Sequence, residues 1–392
     1  MNNQTIARYP RYAKQLAAAL TLSALVAAVF AATTNTPSAT QSLSALSTDS
    51  TVQATAKAFL ATLDASQQQQ VLLELTVQKA TAWSNLPCGS QCRPGIRLDT
   101  LSDTQKTAAL AILQTALSDS KEGGFEQVTQ LFKADSYLNT LQGGGMQGAS
   151  FGSNGAASTN GFRQGMGGPR GGGGGGGFTY GDYYLAFLGT PDRNGTWQLH
   201  FGGHHLAINI TYRDGKVIST TPEFVGIEPT SWTEADHTYA PMAEEHQHMT
   251  TLLASLSDEQ LATAKLSGRF NDVLLGPQQD GRFPTTKEGL PVSDMNSQQR
   301  QLLIEAIKPW VQDVDSTTAA ALMKIYTAEI NDTYIAYSGT PSLSSHADYV
   351  RIDGPSVWIE LVCQSGVIIP NQIHYHSVWR DHQRDYGAVF DF

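Results

Sequence analysis

The stretch YYLAFLGTP at residues 183–191 returns as TYIAYSGTP at residues 333–341, 150 positions further on. Upstream, SNLPCGSQCRPGIRLDTLSDTQKTAALAIL resembles LLGPQQDGRFPTTKEGLPVSDMNSQQRQLLIEAI, with Gly95 against Gly289 at an offset of 194. Self-similarity on this scale limits the fold more than any other feature, because both copies must build the same supersecondary unit. The offsets differ by 44, and the surplus falls in the first half, in the glycine-rich tract from Gly143 to Gly177. That tract has almost no side chain able to bury area, so it is expected to be a disordered surface insert. It matches G-x-G-x-x-G in several registers by composition alone, with no strand before it or helix after it, and carries no nucleotide reading.

Each half has the same order of elements. A helical stretch opens it, at residues 51–83 and again at 244–266, with apolar residues at helical spacing. A loop rich in Gly and Pro follows, then an amphipathic helix pair beginning near residues 101–118 and 295–314, the first capped by Ser102 or Asp103. Strands close each half, with hairpin turns expected at Asp214-Gly215 and Ser365-Gly366. The expected fold class is α+β, a tandem duplication of a helix-then-antiparallel-sheet unit. The repeats would run over 50–230 and 240–392 and form one compact unit. A chain of 392 residues, 41% of them hydrophobic, is long enough to bury such a core.

Residues 1–35 carry Arg8, Arg11 and Lys14, then an uncharged run from Leu16 to Ala32 and a close of small residues. That is the layout of a secretory signal, with an uncleaved N-terminal anchor as the competing reading. The chain is therefore expected to be secreted or periplasmic, with no membrane association after cleavage. Cys88 and Cys92, in a Pro- and Gly-flanked loop, fit a local disulfide in an oxidising compartment, since a lone C-x3-C lacks the second pair of a structural zinc site. Cys363 is expected to be a small buried apolar residue. A net charge of -10 leaves no basic field for a polyanion and excludes nucleic acid as a partner.

Ten histidines are present, and they cluster. His200, His204 and His205 lie in HFGGHHLAINI; His374 and His376 lie in HYHSVWRDHQRDYG. In a strand, residues i and i+2 share a face, so His374 and His376 present two imidazoles side by side, a spacing suited to one metal ion. His204 and His205 are neighbours, so either Gly202-Gly203 permits a bulge that turns both rings inward or only one of them ligates. His200 alone is read as a hydrogen-bonded core residue, and His246 and His248 as exposed at a helix start. The metal ligands expected are thus His204, His205, His374 and His376, holding one divalent transition metal, zinc or copper. Glu360, a carboxylate in an apolar strand, is the candidate base or ligand; a bulge at Pro370 is expected to bring it to the His374 face. Arg380 is the candidate to hold an anionic substrate group, and Asp381 to orient an imidazole.

With GHHLAINI at 203–210, RIDGPSVWIELVCQSG at 351–366 and HYHSVWRDHQRDYG at 374–387, the chain resembles the domain of unknown function 3500 family over most of its length. The resemblance implies an exported protein and names no activity. The glycine-rich insert and His200 depart from the family pattern. Two functions fit these residues: a metal-dependent hydrolase (with copper redox chemistry as its variant) and a non-catalytic exported binder of a metal or small ligand. A third reading has no metal, with the histidines satisfied by hydrogen bonds.

Overall fold

Side chains alternate between the two faces of a strand, so one large sheet divides this chain into a helix side and a loop side. The structure is a computed structural model and describes residues 50–120, 123–143 and 180–392. The leader read at 1–35 and, past Gly143, the glycine-rich insert lie outside the described residues.

The first run holds α1 (Ser50–Ala61), α2 (Ala65–Val71), β1 (Leu72–Leu73), α3 (Val77–Ala80), β2 (Ile96–Arg97), α4 (Asp103–Ala116) and α5 (Gly124–Gly143). Strands β3 (Tyr184–Leu188), β4 (Thr196–Gly203), β5 (Leu206–Arg213), β6 (Lys216–Ser219) and β7 (Glu223–Ile227) follow, with a separate hairpin of β8 (Trp232–Glu234) and β9 (His237–Tyr239). The second run holds α6 (Ala243–Ala254), α7 (Asp258–Ala264), β10 (Leu290–Pro291), α8 (Ser297–Val311), α9 (Ser316–Ala328), β11 (Tyr334–Ser338), β12 (Tyr349–Asp353), β13 (Val357–Ser365) and β14 (Ile373–Asp381). The fold is mixed α+β, and no helix among the described residues is long and apolar enough to cross a membrane.

Both opening helices break where the apolar periodicity predicts continuity. The Asp64 side chain accepts from the Gln67 amide and the Gln67 side chain accepts from the Asp64 amide, which starts α2 afresh. Ser257 and Gln260 do the same for α7. Such reciprocal capping satisfies the free amides of a new helix end, so the chain can turn there at little cost. Gln105 and Gln299, themselves in the capping boxes of α4 and α8, donate to the carbonyls of Thr62 and Ser255 and to the side chains of Gln67 and Gln260.

The main sheet runs β1-β3-β4-β5-β7-β14-β13-β12-β11-β10, with β2 beside β3 and β6 beside β5. The β1–β3 pairing is parallel and the others are antiparallel, and β7 and β14 join at the centre. One face carries Leu199, Phe201, Ile208, Val225, Ile359, Leu361 and Trp379 into the main core against the helices. The other face carries Gln198, His200, Asn209, Glu360, His374, His376 and Arg380, all buried, under the loops that precede β2 and β10 and the C-terminal tail.

Three local expectations are corrected by the register. His204 and His205 are neither strand nor bulge: Gly203 pairs with Leu206, so the two histidines form the turn between β4 and β5, with His205 at φ 59. Asp214-Gly215 is the tight turn expected, since Arg213 pairs with Lys216. Ser365, however, pairs with Ile373, so β13 and β14 are joined by the 366–372 loop rather than by a turn at Ser365-Gly366. This loop, not a bulge at Pro370, gives Glu360 and His374 the same facing.

Candidate metal centre

Two segments bring imidazoles together. The β4–β5 turn points His205 over β7, where the His205 amide donates to the Asn85 carbonyl at 3.1 Å and the Gly226 amide donates to the His205 carbonyl at 2.8 Å. On β14, His374 and His376 share a face, and His376 stands opposite Gly226. A Cβ at 226 would lie 3.0 Å from Cδ2 of His205 and 3.0 Å from Cδ2 of His376, so glycine makes the space in which the rings converge. Gly226→Ala is expected to push both rings by a few tenths of an ångström and to weaken metal uptake roughly tenfold, with Gly226→Val more severe. Unchanged affinity in titrations of both variants would contradict this packing argument.

One ring nitrogen each from His205, His374 and His376 lies within 4.8 Å of the other two, and all three residues are buried. The Nε2 atoms of His374 and His376 are 3.2 Å apart. Two ligands on a tetrahedral ion at about 2.0–2.1 Å stand about 3.3 Å apart, so that pair is already at coordination spacing. His376 Nδ1 lies 2.9 Å from Asp272 Oδ1, and the Asn85 carboxamide lies 3.3 Å from the same nitrogen. A carboxylate beside Nδ1, with Nε2 turned toward the other ring nitrogens, is the arrangement found behind metal-bound histidines. Burial, with His376 beside it, pushes the His374 imidazole down to about 3. Burial and the neighbouring His204, His376 and His374 rings hold His205 well below the usual range. Both rings are therefore neutral near pH 7, the form that binds metals.

The remaining expected site residues are placed elsewhere. His204 stacks on His205 with ring centroids 3.8 Å apart, but its Nδ1 lies 2.8 Å from Asp135 Oδ1, and it is not in the three-imidazole group. Glu360 shares the histidine face but accepts from the amides of Leu274 and Leu275, the Trp358 indole and the Tyr349 hydroxyl. Burial raises its pKa against those four donors. Arg380 is fully buried, donating to the carbonyls of Leu275 and Gly276 and to the carboxylates of Asp280 and Asp385. Asp381 lies on the opposite face from His376 by strand alternation and accepts from Tyr326 and Arg384. The structure thus brings none of Glu360, Arg380 and Asp381 to the imidazoles. They brace the loop over the sheet and the C-terminal tail instead.

His200 is buried opposite Asn209, outside the cluster, with its imidazole pushed down to about 4 by burial. His246, expected to be exposed, is half-buried, stacked on Tyr375 and bonded to the Leu343 carbonyl at 3.0 Å; His248 is half-buried as well. Cys363 is buried, and Cys88 is bridged to Cys92. Sequence reasoning misses Asp272, Asn85 and Asp135, because each touches a histidine far away along the chain and no local spacing marks it.

A mixed α+β scaffold with three buried imidazoles gathered over the centre of its sheet defines the class. Within that class, the chain belongs to the family described as protein of unknown function (DUF3500), whose model matches residues 45–388. No curated protein and no solved structure matches it.

Proposed function

We propose that the protein binds one divalent transition metal ion, zinc or copper, through His205, His374 and His376, and that it is an exported metal-dependent hydrolase. The observation that carries this reading is the convergence of three buried ring nitrogens within 4.8 Å, one of them backed by Asp272. Three protein ligands leave a fourth position for water or substrate, and a bound Lewis acid generates hydroxide at neutral pH. The alternative is a non-catalytic exported protein that captures a metal or small ligand; the depth of the cluster, with every ligand under a tenth exposed, favours it. Export rests on the N-terminal sequence and agrees with the Cys88–Cys92 bridge.

We also read the chain as a tandem duplication. The paired glutamine caps support it, as does one further correspondence. Arg93, two residues before Gly95, donates to the Gly203 carbonyl, and Lys287, two residues before Gly289, donates to the Gly354 carbonyl. The metal reading is tested by elemental analysis of the purified protein, then by thermal melts with zinc or copper added. A ligand at 100 times its Kd stabilises by about 2.7 kcal/mol, so melting should move up by several degrees with one equivalent bound. Metal-free protein that gains no stability from either ion would overturn the reading.

A further inference from the structure

The two segments that seat His205 and His376 are tied to each other by one buried cation. Arg93 Nη2 donates to the carbonyls of Ser84 (2.6 Å), Leu86 (2.5 Å) and Gly203 (2.5 Å). Gly203 is the last residue before the His204–His205 turn, so its carbonyl fixes one end of that turn. Ser84 and Leu86 flank Asn85, which takes the His205 amide on its carbonyl and sets its carboxamide against His376 Nδ1. Arg93 Nη1 lies 3.6 Å and 3.7 Å from the sulfurs of Cys88 and Cys92. The bridge therefore closes residues 88–92 within the longer stretch, from Ser84, that Arg93 closes, and its sulfurs back the guanidinium. Arg93 is buried, whereas both cysteines are half-buried and within reach of a reductant.

We propose that Arg93 is the positioning residue of the metal centre and that, through it, the Cys88–Cys92 bridge makes metal affinity depend on redox state, tight when bridged and weak when reduced. This rests on the reading of the imidazole cluster as a metal site. Reduction by a phosphine breaks the S–S bond; phosphorus supplies two electrons and leaves as the phosphine oxide, and water supplies its oxygen and the two protons of the thiols. Residues 88–92 then regain the conformations that the bridge denied them. The two sulfurs against Arg93 Nη1 are free to part, the guanidinium loses that side of its seat, and with it the hold on the Ser84, Leu86 and Gly203 carbonyls, so Asn85 drifts from His205 and His376. Imidazoles bind a metal well only when held to within about half an ångström, so the loss is felt at the ion.

The test is a Co2+ titration of the full chain, followed by visible absorption, with the bridge intact, after phosphine reduction, and in Cys88→Ser/Cys92→Ser, which removes thiol ligation as a confounding route. Affinity is expected to fall roughly tenfold or more on reduction and equally in the serine variant. Arg93→Gln should match them with the bridge intact, and Arg93→Lys should recover part of the loss. Imidazole 15N resonances of the metal-free protein give a second readout: those of His205 and His376 should shift on reduction, and that of His382, on Asp353, should not. Equal Co2+ affinity with unchanged resonances overturns the proposal and leaves the metal site standing. If the bridged protein takes up no Co2+, the metal reading falls, and the resonances alone decide: shifts at His205 and His376 support the clamp, and their absence overturns it. Should Arg93→Gln fail to fold, the reduced protein and the serine variant carry the decision.

Discussion

Replacing His374 and His376 together by alanine is expected to abolish stoichiometric metal binding, whereas His204→Ala should retain one equivalent. A structural zinc site with four ligands is worth roughly 10–16 kcal/mol at neutral pH, so one ligand accounts for about 2.5–4 kcal/mol. At about 1.4 kcal/mol per tenfold, His205→Ala, His374→Ala and His376→Ala should each lower affinity by roughly two to three powers of ten. His204 differs although it adjoins His205, because it stays outside the group of converging nitrogens. Asp272→Asn keeps the ligands and changes only the partner of His376 Nδ1, so a smaller drop of roughly 10–100-fold is expected. Metal analysis after dialysis, with a thermal melt of each variant to verify folding, measures every one of these effects. One equivalent of metal in the His374→Ala/His376→Ala protein would place the ion elsewhere and end the proposal.

The legible part of this protein is the part governed by local spacing. The H-x-H of His374 and His376 needs only the two-residue period of a strand, and the N-cap of α4 at Ser102 needs only the residues that follow it. The breaks at Asp64 and Ser257 are also written locally, as D-x-x-Q and S-x-x-Q, but the apolar periodicity running through them masks the caps. His204-His205 reads as strand because a two-residue turn between long strands leaves no gap in the apolar pattern, and the adjacent Gly202-Gly203 suggests a bulge. Glu360, Arg380 and Asp381 carry the chemistry a metal site wants. Their partners, Leu274 and Leu275, Asp280 and Asp385, and Tyr326, come mostly from distant loops and helices, and such pairings have no sequence period. The Arg93 clamp is hidden for the same reason, since its Gly203 partner lies 110 residues away.

Raising the pH from 6 to 9 is expected to lower the melting temperature by on the order of 5–10 °C. The cause lies on the helix side of the sheet. Glu223 on β7, Glu245 on α6 and Asp313 beyond α8 are all buried there. Gln127 donates to Glu245 at 2.6 Å and the Gly124 amide donates to Asp313 at 2.6 Å. Glu223 Oε2, Glu245 Oε2 and Asp313 Oδ2, however, are each buried with no hydrogen-bond partner among the described residues. Burial, and after it the neighbouring Asp313 charge, pushes Glu245 up to about 8. Burial pushes Asp313 up to about 7, and burial with the charges of Asp313 and Glu245 holds Glu223 well above the usual carboxylate range. In the unfolded chain these groups release their protons near pH 4, so between about pH 4 and 8 the folded state binds more protons than the unfolded one. Their stabilising contribution is complete below that window and is lost as pH climbs through 7 and 8. Each tenfold difference in proton affinity between the folded and unfolded chain is worth about 1.4 kcal/mol, so the loss reaches a few kcal/mol, which exceeds what any surface ion pair supplies. Glu245→Gln keeps an oxygen for Gln127 and cannot ionise, and Asp313→Asn likewise keeps one for Gly124. The double variant leaves only Glu223 of the three able to ionise, so its melting temperature should fall clearly less between pH 6 and pH 9 than that of the wild type. A wild-type melting curve that is flat across that range, or an equal slope in the variant, would mean that the three carboxyls are already ionised inside the fold and that some compensating charge or water reaches them.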